Sequence, residues 1–556
     1  MEKVFGSTRT CPARGHIERG TVMTRLCVVC TGRDADALIT HAVAAADAGA
    51  DMVELRMDLM DDPAEELHSA VSGLQTILAN VELAASLRAT RDGGSFPGTE
   101  EDRLAILGEL AATGVGWLDL EGNLPPSTLD DLTENARRAG SRVLLSWHVG
   151  REEDWDDVGI RSRAAFKDGR ADAVKLVLPV EDRQGLDAYL AFSWSLSKEG
   201  VSHVLLPSGR LSRLGRVLAP VTSTEWVYTE LGDTGYQGPL GLPLFGELEA
   251  AWQRMGMRTV PGGLPRPAPP LEAKDAGGEW TLLALLGDPV SHTNSPVVHQ
   301  AAMRAMGMRG AYVPYRTEPG DVAAALADLG VAGALGCNVT VPLKVEAAAA
   351  VDELGDGASR SGAVNTVIFR EDGLTRGENT DVDGVALSVQ ELIGEDGTDR
   401  TALVLGTGGA ARGAVVGLDR WGARVLVTGR DPDHLASLIS DLDGLARPAN
   451  PLSLEDHMGQ VDLLVQCTSQ GMSGVPPSGH LMPVRVLEMV AARAVLDMVY
   501  APGGTDVVRG ARLAGLPAVG GERVLLHQAA VGFRHWTGLD PPISGMERAL
   551  HAAIGQ

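Results

Sequence analysis

The chain has 556 residues, 44% of them hydrophobic, with 68 Gly and 30 Pro; it is too long for one ordinary core and implies about two to four domains. Lys+Arg number 48 against 73 Asp+Glu, and the formal charge of -25 is unrelieved by any basic block, which argues against nucleic acid or an anionic membrane as partner. No run reaches the ~18 apolar residues of a membrane span. The start MEKVFGSTRTCPARGHIERG lacks the apolar core of a secretion signal, and five scattered cysteines form no disulfide framework, so the expected location is the cytoplasm.

From residue 24 to about 240, short apolar runs alternate with Ala/Leu-rich amphipathic stretches. LCVVC, DMVELRMD, LAASLRAT, GWLDLEG, RVLLSWHV, DAVKLVLPV, VSHVLLP and EWVYTEL are the predicted strands. Eight β/α units in this length suit a closed parallel (β/α)8 barrel, although an open sheet shares the pattern. Cys27 and Cys30 lie inside the first of these runs with no second CxxC, so they read as core residues and no metal site is expected. TVPGGLPRPAPPLEAKDAGGEW (259–280) then breaks the pattern as a Pro/Gly-rich linker. A second α/β module begins at LLALLGDPV. It contains TALVLGTGGAARGAVVGLDRWGARVLVTGR, a strand, a Gly-rich turn, a helix and another strand.

Only six of the 48 basic residues are lysines (Lys3, Lys167, Lys175, Lys198, Lys274, Lys344), so a lysine within an apolar run asks for a reason. Lys175 lies in the strand Asp172-Ala-Val-Lys-Leu-Val-Leu. A lysine amine can attack a carbonyl once it loses its proton; arginine cannot. Its structural alternative is pairing with a barrel carboxylate such as Glu121. His148 ends the preceding strand as a candidate general acid/base, with a core histidine as the alternative. Glu54 and Arg56 share a strand face, as do Asp119 and Glu121, while Arg88 and Ser212-Arg213 add cations suited to a carboxylate.

In the second module Gly406-Thr-Gly408-Gly409-Ala410-Ala411 sits between strand and helix, the context in which a G-x-G-x-x-A turn admits a pyrophosphate. Arg430 after the next strand suits a 2′-phosphate; Asp431 beside it would suit the NAD ribose. Hydroxyls, amides, one Lys and one Asp gather in GDPVSHTNSP, NVTVPLK, AVNT and NTDVDG, and near Gln528, a set suited to a small polyhydroxylated substrate.

These second-module fragments, in this order, resemble shikimate dehydrogenase across residues 281–556. The resemblance implies that Lys344 and Asp381 are the catalytic pair, that Thr293, Ser295, Thr340, Asn365, Tyr500 and Gln528 contact substrate, and that Gly406, Gly408, Gly409, Ala410, Arg430 and Thr468 hold NADP, with NAD as the alternative. Gly429 and Asp431 depart from the family's Asn and Thr around Arg430. The first module resembles the type I 3-dehydroquinate dehydratases over about residues 24–241, through ELRxD (Glu54, Arg56, Asp58), the Arg88–Gly-Gly loop, Asp119-Leu-Glu121, His148, Lys175, Ser212-Arg213 and Gln237. By that resemblance Lys175 forms an imine with the substrate ketone and His148 moves protons. Asp92 stands where a Glu usually orients that histidine, and Glu54, Arg56, Arg88, Arg213 and Gln237 hold the substrate.

The expected architecture is thus an α/β chain: a barrel at 24–245, a linker at 246–280, a dehydrogenase substrate lobe at 281–385 completed by helices within 522–556, and a Rossmann-like NADP lobe at 386–521. The expected function is dehydration of 3-dehydroquinate followed by NADPH reduction of 3-dehydroshikimate to shikimate. Two other readings compete: a shikimate or quinate dehydrogenase carrying a degenerate barrel, and a ligand-sensing regulator built from both modules. Retention of Lys175, His148, Lys344 and Asp381 without a basic tract argues against the regulator.

Overall fold

In the computed structural model the described residues are 24–151, 153–232, 244–255, 280–290, 293–394, 396–457, 459–472 and 483–555. Gln237 and residues 256–279 of the expected linker lie outside them.

Eight short strands, β1 Arg25–Cys30, β2 Met52–Arg56, β3 Glu82–Ser86, β4 Trp117–Glu121, β5 Arg142–His148, β6 Ala173–Pro179, β7 His203–Ser208 and β8 Trp226–Thr229, form one parallel sheet in the order β7-β6-β5-β4-β3-β2-β1-β8. The sheet nearly closes on itself. Across the β7/β8 seam the Glu225 N–H donates to His203 O at 2.9 Å and the Leu205 N–H to Thr224 Oγ1 at 2.9 Å. Each strand is buried on both faces, as parallel strands covered by helices must be.

Side chains alternate between the barrel interior and the helix layer. Cys27, Met52, Ala84, Trp117, Leu144, Ala173, Val204 and Trp226 form an apolar interior floor. Two residues further along their strands, on the same face, come Glu54, Ser86, Asp119, Ser146 and Lys175, so the floor gives way to a polar layer toward the C-terminal strand ends. That is the end at which barrels of this kind build their sites. Cys27 belongs to the interior cluster and Cys30 to the outer core, as their odd spacing on a strand dictates.

The stretch expected to begin the linker instead carries a helix, Phe245–Arg254. Phe245, Leu248, Ala251 and Trp252 recur at helical spacing and are buried, and Trp252 Nε1 donates to Val217 O at 3.1 Å. Its apolar stripe seals the barrel wall beside β1, so this ordered module extends past residue 245.

Strands β9 Thr281–Gly287, β10 Gly310–Arg316, β11 Gly336–Val339, β12 Glu353–Leu354, β13 Thr366–Phe369 and β14 Thr375–Glu378 make a mixed sheet in the order β10-β9-β11-β13-β14-β12. Helices Gly521–Thr537 and Ile543–Ile554 return to cover it: Phe533, Trp536, Met546 and Leu550 pack with Leu283, Leu285 and Tyr312. Strands β15 Thr401–Leu405, β16 Arg424–Thr428, β17 Arg447–Pro448, β18 Leu463–Gln466, β19 Ala494–Asp497 and β20 Ala518–Val519 form an all-parallel sheet in the order β17-β16-β15-β18-β19-β20. This is the doubly wound order, whose switch point between β15 and β18 opens a crevice for a dinucleotide. No helix among the described residues is long and apolar enough to cross a membrane.

Candidate functional site

In the barrel, Lys175 is 1% exposed in the middle of β6. Its ammonium donates to Asp119 Oδ2 at 2.7 Å, lies 3.7 Å from Glu54 Oε1 and sits 4.5 Å from the centre of the Tyr228 ring. The Glu54 oxygen is buried and has no hydrogen-bond partner among the described residues. Glu121, the carboxylate first weighed as a partner of Lys175, is engaged elsewhere: it accepts from Arg103 at 2.9 and 3.0 Å and from the Ala89 N–H at 2.9 Å. It therefore fixes the strand end that carries Arg88. Asp119 and Tyr228 are the first residues of this site that sequence reasoning left unassigned. Their strand face, two residues from the apolar floor at Trp117 and Trp226, was the available signal.

His148 is half-buried at the end of β5, and its Nδ1 is sealed from solvent without a partner among the described residues. Burial, then the charges of Arg88, Lys175 and Arg56, push its imidazole well below its ordinary pKa. Asp92 does not reach it. Its Oδ2 accepts from the neighbouring Arg91 at 3.3 Å, in a one-turn helix whose next residue, Gly93, has φ +80°. Arg56 is clamped by Asp58 through bonds of 2.9 and 2.7 Å. Burial opposes ionisation of Asp58, but Arg56 and the Ser95 N–H hold its pKa below the usual carboxylate range. Arg88 is buried on the same rim. Lys175, Glu54, Arg56, Arg88 and His148 are thus brought together. Arg213, in the helix that follows β7, has its guanidinium carbon 5.1 Å from the Tyr315 ring of the second module.

In the second module Lys344 opens the helix Lys344–Ala350 and donates to Asp381 Oδ2. Asp381 begins the helix Asp381–Ile393, where the positive end of the dipole favours a carboxylate. Asn365 Nδ2 donates to Asp381 Oδ1 at 2.9 Å and lies 3.3 Å from Gln528 Oε1, which also accepts from Thr380 Oγ1 at 3.1 Å. Four residues spread over nearly two hundred positions therefore form one buried hydrogen-bonded chain. Thr380, Asn338 and Thr366 support it: Asn338 Nδ2 donates to Thr366 Oγ1 at 3.0 Å and Tyr312 OH donates to Asn338 Oδ1 at 2.7 Å. A second group forms alongside. Thr293 Oγ1 and Ser295 Oγ are 3.1 Å apart, and the Asn294 N–H donates to Tyr500 OH at 3.2 Å. Thr340, half-buried, follows β11 directly and is tied to β9 by its N–H to Leu286 O at 2.8 Å.

The cofactor crevice can be tested from the backbone. Gly406 has φ +118°, and a Cβ there would lie 3.0 Å from Cys467 O, across the switch point. Thr468 follows at the same place, its N–H donating to Gln466 Oε1 at 2.7 Å. The helix Gly409–Trp421 starts at Gly408 with no side-chain cap, leaving N–H groups for a pyrophosphate. Gly409 lies against Lys344: a Cβ on it would be 3.0 Å from the lysine Cβ. Arg430 is exposed at the end of β16 without a side-chain partner among the described residues. Asp431 is occupied otherwise: it caps the helix Pro432–Asp441, accepting from the Asp433 and His434 N–H groups at 2.9 and 3.1 Å. Gly429 leaves room for Thr407, whose Cγ2 would stand 2.6 Å from an added Cβ. The residues present fit a dinucleotide with a 2′-phosphate.

Comparison with known proteins finds a different family in each half of the chain. Residues 26–258 match the family model for type I 3-dehydroquinase, residues 285–367 that for the shikimate dehydrogenase substrate binding domain, and residues 521–551 that for the shikimate 5′-dehydrogenase C-terminal domain. The shikimate dehydrogenase (NADP(+)) of Rubrobacter xylanophilus is 41% identical over 278 residues, spanning 49% of this chain and 96% of that protein. The shikimate dehydrogenase (NADP(+)) of Methanothrix thermoacetophila is 38% identical, spanning 49% and 97%. Among solved structures, the shikimate dehydrogenase of Thermus thermophilus in complex with shikimate is 34% identical, covers 50% of this chain and 100% of its own, and has a TM-score of 0.43. The dehydroquinate dehydratase and shikimate dehydrogenase of S. pombe is 20% identical, covers 95% and 98%, and has a TM-score of 0.41.

Proposed function

Because this chain belongs to the shikimate dehydrogenase family over its second half and carries a type I 3-dehydroquinase module in its first, we propose that one polypeptide converts 3-dehydroquinate to shikimate in two consecutive reactions. The observation that carries the first is Lys175: a buried lysine on the catalytic side of a barrel, hydrogen-bonded to one carboxylate and beside a second. Asp119 is positioned to take the proton that the amine must lose before it attacks the ketone carbon. The carbinolamine loses water to give an imine, which draws electrons from the adjacent carbon. His148, held neutral by burial and by the cations around it, removes the proton there. The hydroxyl on the next carbon then leaves as water, with His148 returning the proton. Hydrolysis of the imine frees Lys175 and 3-dehydroshikimate, for a net loss of one water.

The second site receives that product. NADPH supplies a hydride to the ketone carbon when bound. Lys344 and Asp381 deliver the proton to the ketone oxygen, and Asn365 and Gln528 fix Asp381 and the ring hydroxyls. Thr293, Ser295, Thr340 and Tyr500 line the substrate side of the crevice. Arg430, free while Asp431 caps its helix, receives the 2′-phosphate and favours NADPH over NADH. The expected location remains the cytoplasm. Asp92, engaged by Arg91, leaves His148 without an orienting carboxylate, which favours a dehydratase step slower than the reduction.

Purified protein given 3-dehydroquinate and NADPH should oxidise the nicotinamide, and NADH should support the reaction poorly. Borohydride added with 3-dehydroquinate should trap substrate on Lys175, and Lys175→Arg should abolish trapping. Trapping that survives at another residue removes the imine assignment. A chain that oxidises NADPH only when 3-dehydroshikimate is supplied has a degenerate barrel.

A further inference from the structure

The two modules meet at one sector of the barrel rim. Arg183 opens the helix that follows β6, Arg183–Lys198. Its Nη2 donates to Trp280 O at 3.1 Å, its Nη1 to Gly333 O at 3.2 Å, and its guanidinium lies 4.5 Å from the Trp280 ring. Arg210, just after β7, pairs with Asp328 at 2.6 Å. Glu247, in the helix that follows β8, pairs with Arg316 at 2.7 Å, and the same Arg316 Nε is 2.9 Å from Asp288. These barrel residues all follow the C-terminal ends of β6, β7 and β8, on the side where Lys175 and His148 open. On the other side they meet Trp280, the helix Val322–Val331 with the turn after it, and, through Arg316, β10, the edge strand of the dehydrogenase sheet. The dehydrogenase lobe therefore forms part of the wall around the dehydratase rim, and the barrel helices cover a sheet edge that would otherwise be open.

Within this contact Arg213 is the residue with chemical consequence. Its guanidinium lies 5.1 Å from the centre of the Tyr315 ring, and Tyr315 is 7% exposed, held in β10 beside the anchored Arg316. We propose that Tyr315, a residue of the dehydrogenase lobe, is a positioning residue for the dehydratase, presenting Arg213 to the substrate carboxylate. This rests on the reading of Arg213 as a substrate anchor. An arginine side chain carries about 2 kcal/mol of rotamer freedom, and a planar guanidinium held on an aromatic face has lost part of it before substrate arrives. The contact acts on binding and not on bond making, so its removal raises KM and leaves kcat in place. One strand thus serves both sites: Tyr315 holds the dehydratase's arginine, and Arg316 ties the dehydratase's last helix to Asp288 in the dehydrogenase substrate loop.

The test uses the full chain and four variants, Tyr315→Phe, Tyr315→Leu, Arg213→Ala and the double variant Arg213→Ala/Tyr315→Leu. Dehydratase kcat and KM for 3-dehydroquinate are measured, with the dehydrogenase KM for shikimate as an internal readout. Tyr315→Leu should raise the dehydratase KM about two- to fivefold, the equivalent of the ~0.5–1 kcal/mol of a partly exposed cation–π contact, with kcat unchanged. Tyr315→Phe, which keeps the ring, should match the parent. In the Arg213→Ala background Tyr315→Leu should add nothing. The proposal is overturned if Arg213→Ala raises KM and Tyr315→Leu does not, or if Tyr315→Leu raises it equally without Arg213. A parallel rise in the dehydrogenase KM marks general damage and also overturns it. Arg213→Ala with no effect on KM overturns the substrate-anchor reading itself, and the proposal with it.

Discussion

Replacing Lys344 by Met tests the proton-delivery pair of the dehydrogenase, because the change has two separable consequences. The first is chemical: losing a positioned acid costs about 10²- to 10⁴-fold in rate, or about 2.7–5.4 kcal/mol of transition-state stabilisation. The second is structural. Asp381, whose side chain is 7% exposed, loses its cation but keeps the Asn365 amide at 2.9 Å. Leaving a buried carboxylate oxygen short of a partner costs about 1–3 kcal/mol. The double variant Lys344→Met/Asp381→Asn removes the unpaired charge as well, so its stability should return toward the parent while its activity stays lost. Initial rates of shikimate-dependent NADP+ reduction supply the chemical measure, thermal melts the structural one, and dehydratase turnover in the same polypeptide controls for folding. A fall of less than about tenfold in the Lys344→Met dehydrogenase rate, or a double variant whose rate recovers with its stability, would refute proton delivery by Lys344.

Three further predictions concern pH and the cofactor turn. Burial and three neighbouring cations lower the His148 pKa, so the folded imidazole keeps its free-base form well below pH 6.5 and loses catalytic availability only as pH falls through that lowered value. Stability instead declines from pH 6.5 downward, where the unfolded imidazole takes up a proton that the folded one does not. Dehydratase kcat/KM should show no His148-dependent inflection at or above pH 6.5, and a ring titration there, absent in His148→Gln, would contradict the electrostatic account. Asp497 is fully buried, its carboxylate accepting from Thr505 Oγ1 at 2.6 Å and the Val499 N–H at 2.9 Å, and burial pushes its pKa up to about 7. The folded chain holds that proton more tightly than the unfolded one, so stability falls as pH rises from about 4 to 7. Asp497→Asn should gain in melting temperature relative to the parent between pH 5 and pH 8; a constant difference would count against the shift. Gly406→Ala forces a side chain onto φ +118° and against Cys467 O. Strain of about 1–3 kcal/mol should raise the KM for NADPH roughly five- to 150-fold, and an unchanged KM would remove the glycine turn from the cofactor site.

Much of both sites was legible along the chain because strand geometry is local. On β2, β4 and β6 the period of two carries each apolar floor residue to a polar one: Met52 to Glu54, Trp117 to Asp119, Ala173 to Lys175. The scarcity of lysine singled out Lys175 and Lys344 before any fold was drawn, and the G-x-G-x-x-A turn announced its own strand and helix. What the sequence could not supply was the choice of partner. Strand register sets Lys175 level with Ser146 and, one strand on, with Glu121, yet its ammonium pairs with Asp119, because Arg103, from a helix outside the barrel, takes Glu121. Asp431 stood beside Arg430 as a competing determinant until the helix start at Pro432 claimed its carboxylate. Arg213, expected to hold the barrel substrate, also lies against Tyr315, 102 positions away in the other module. Patterning along one chain specifies which face a side chain occupies. Which of several complementary groups it meets depends on strand register, helix crossing and the docking of one module on another, and these exist only once the tertiary structure has closed.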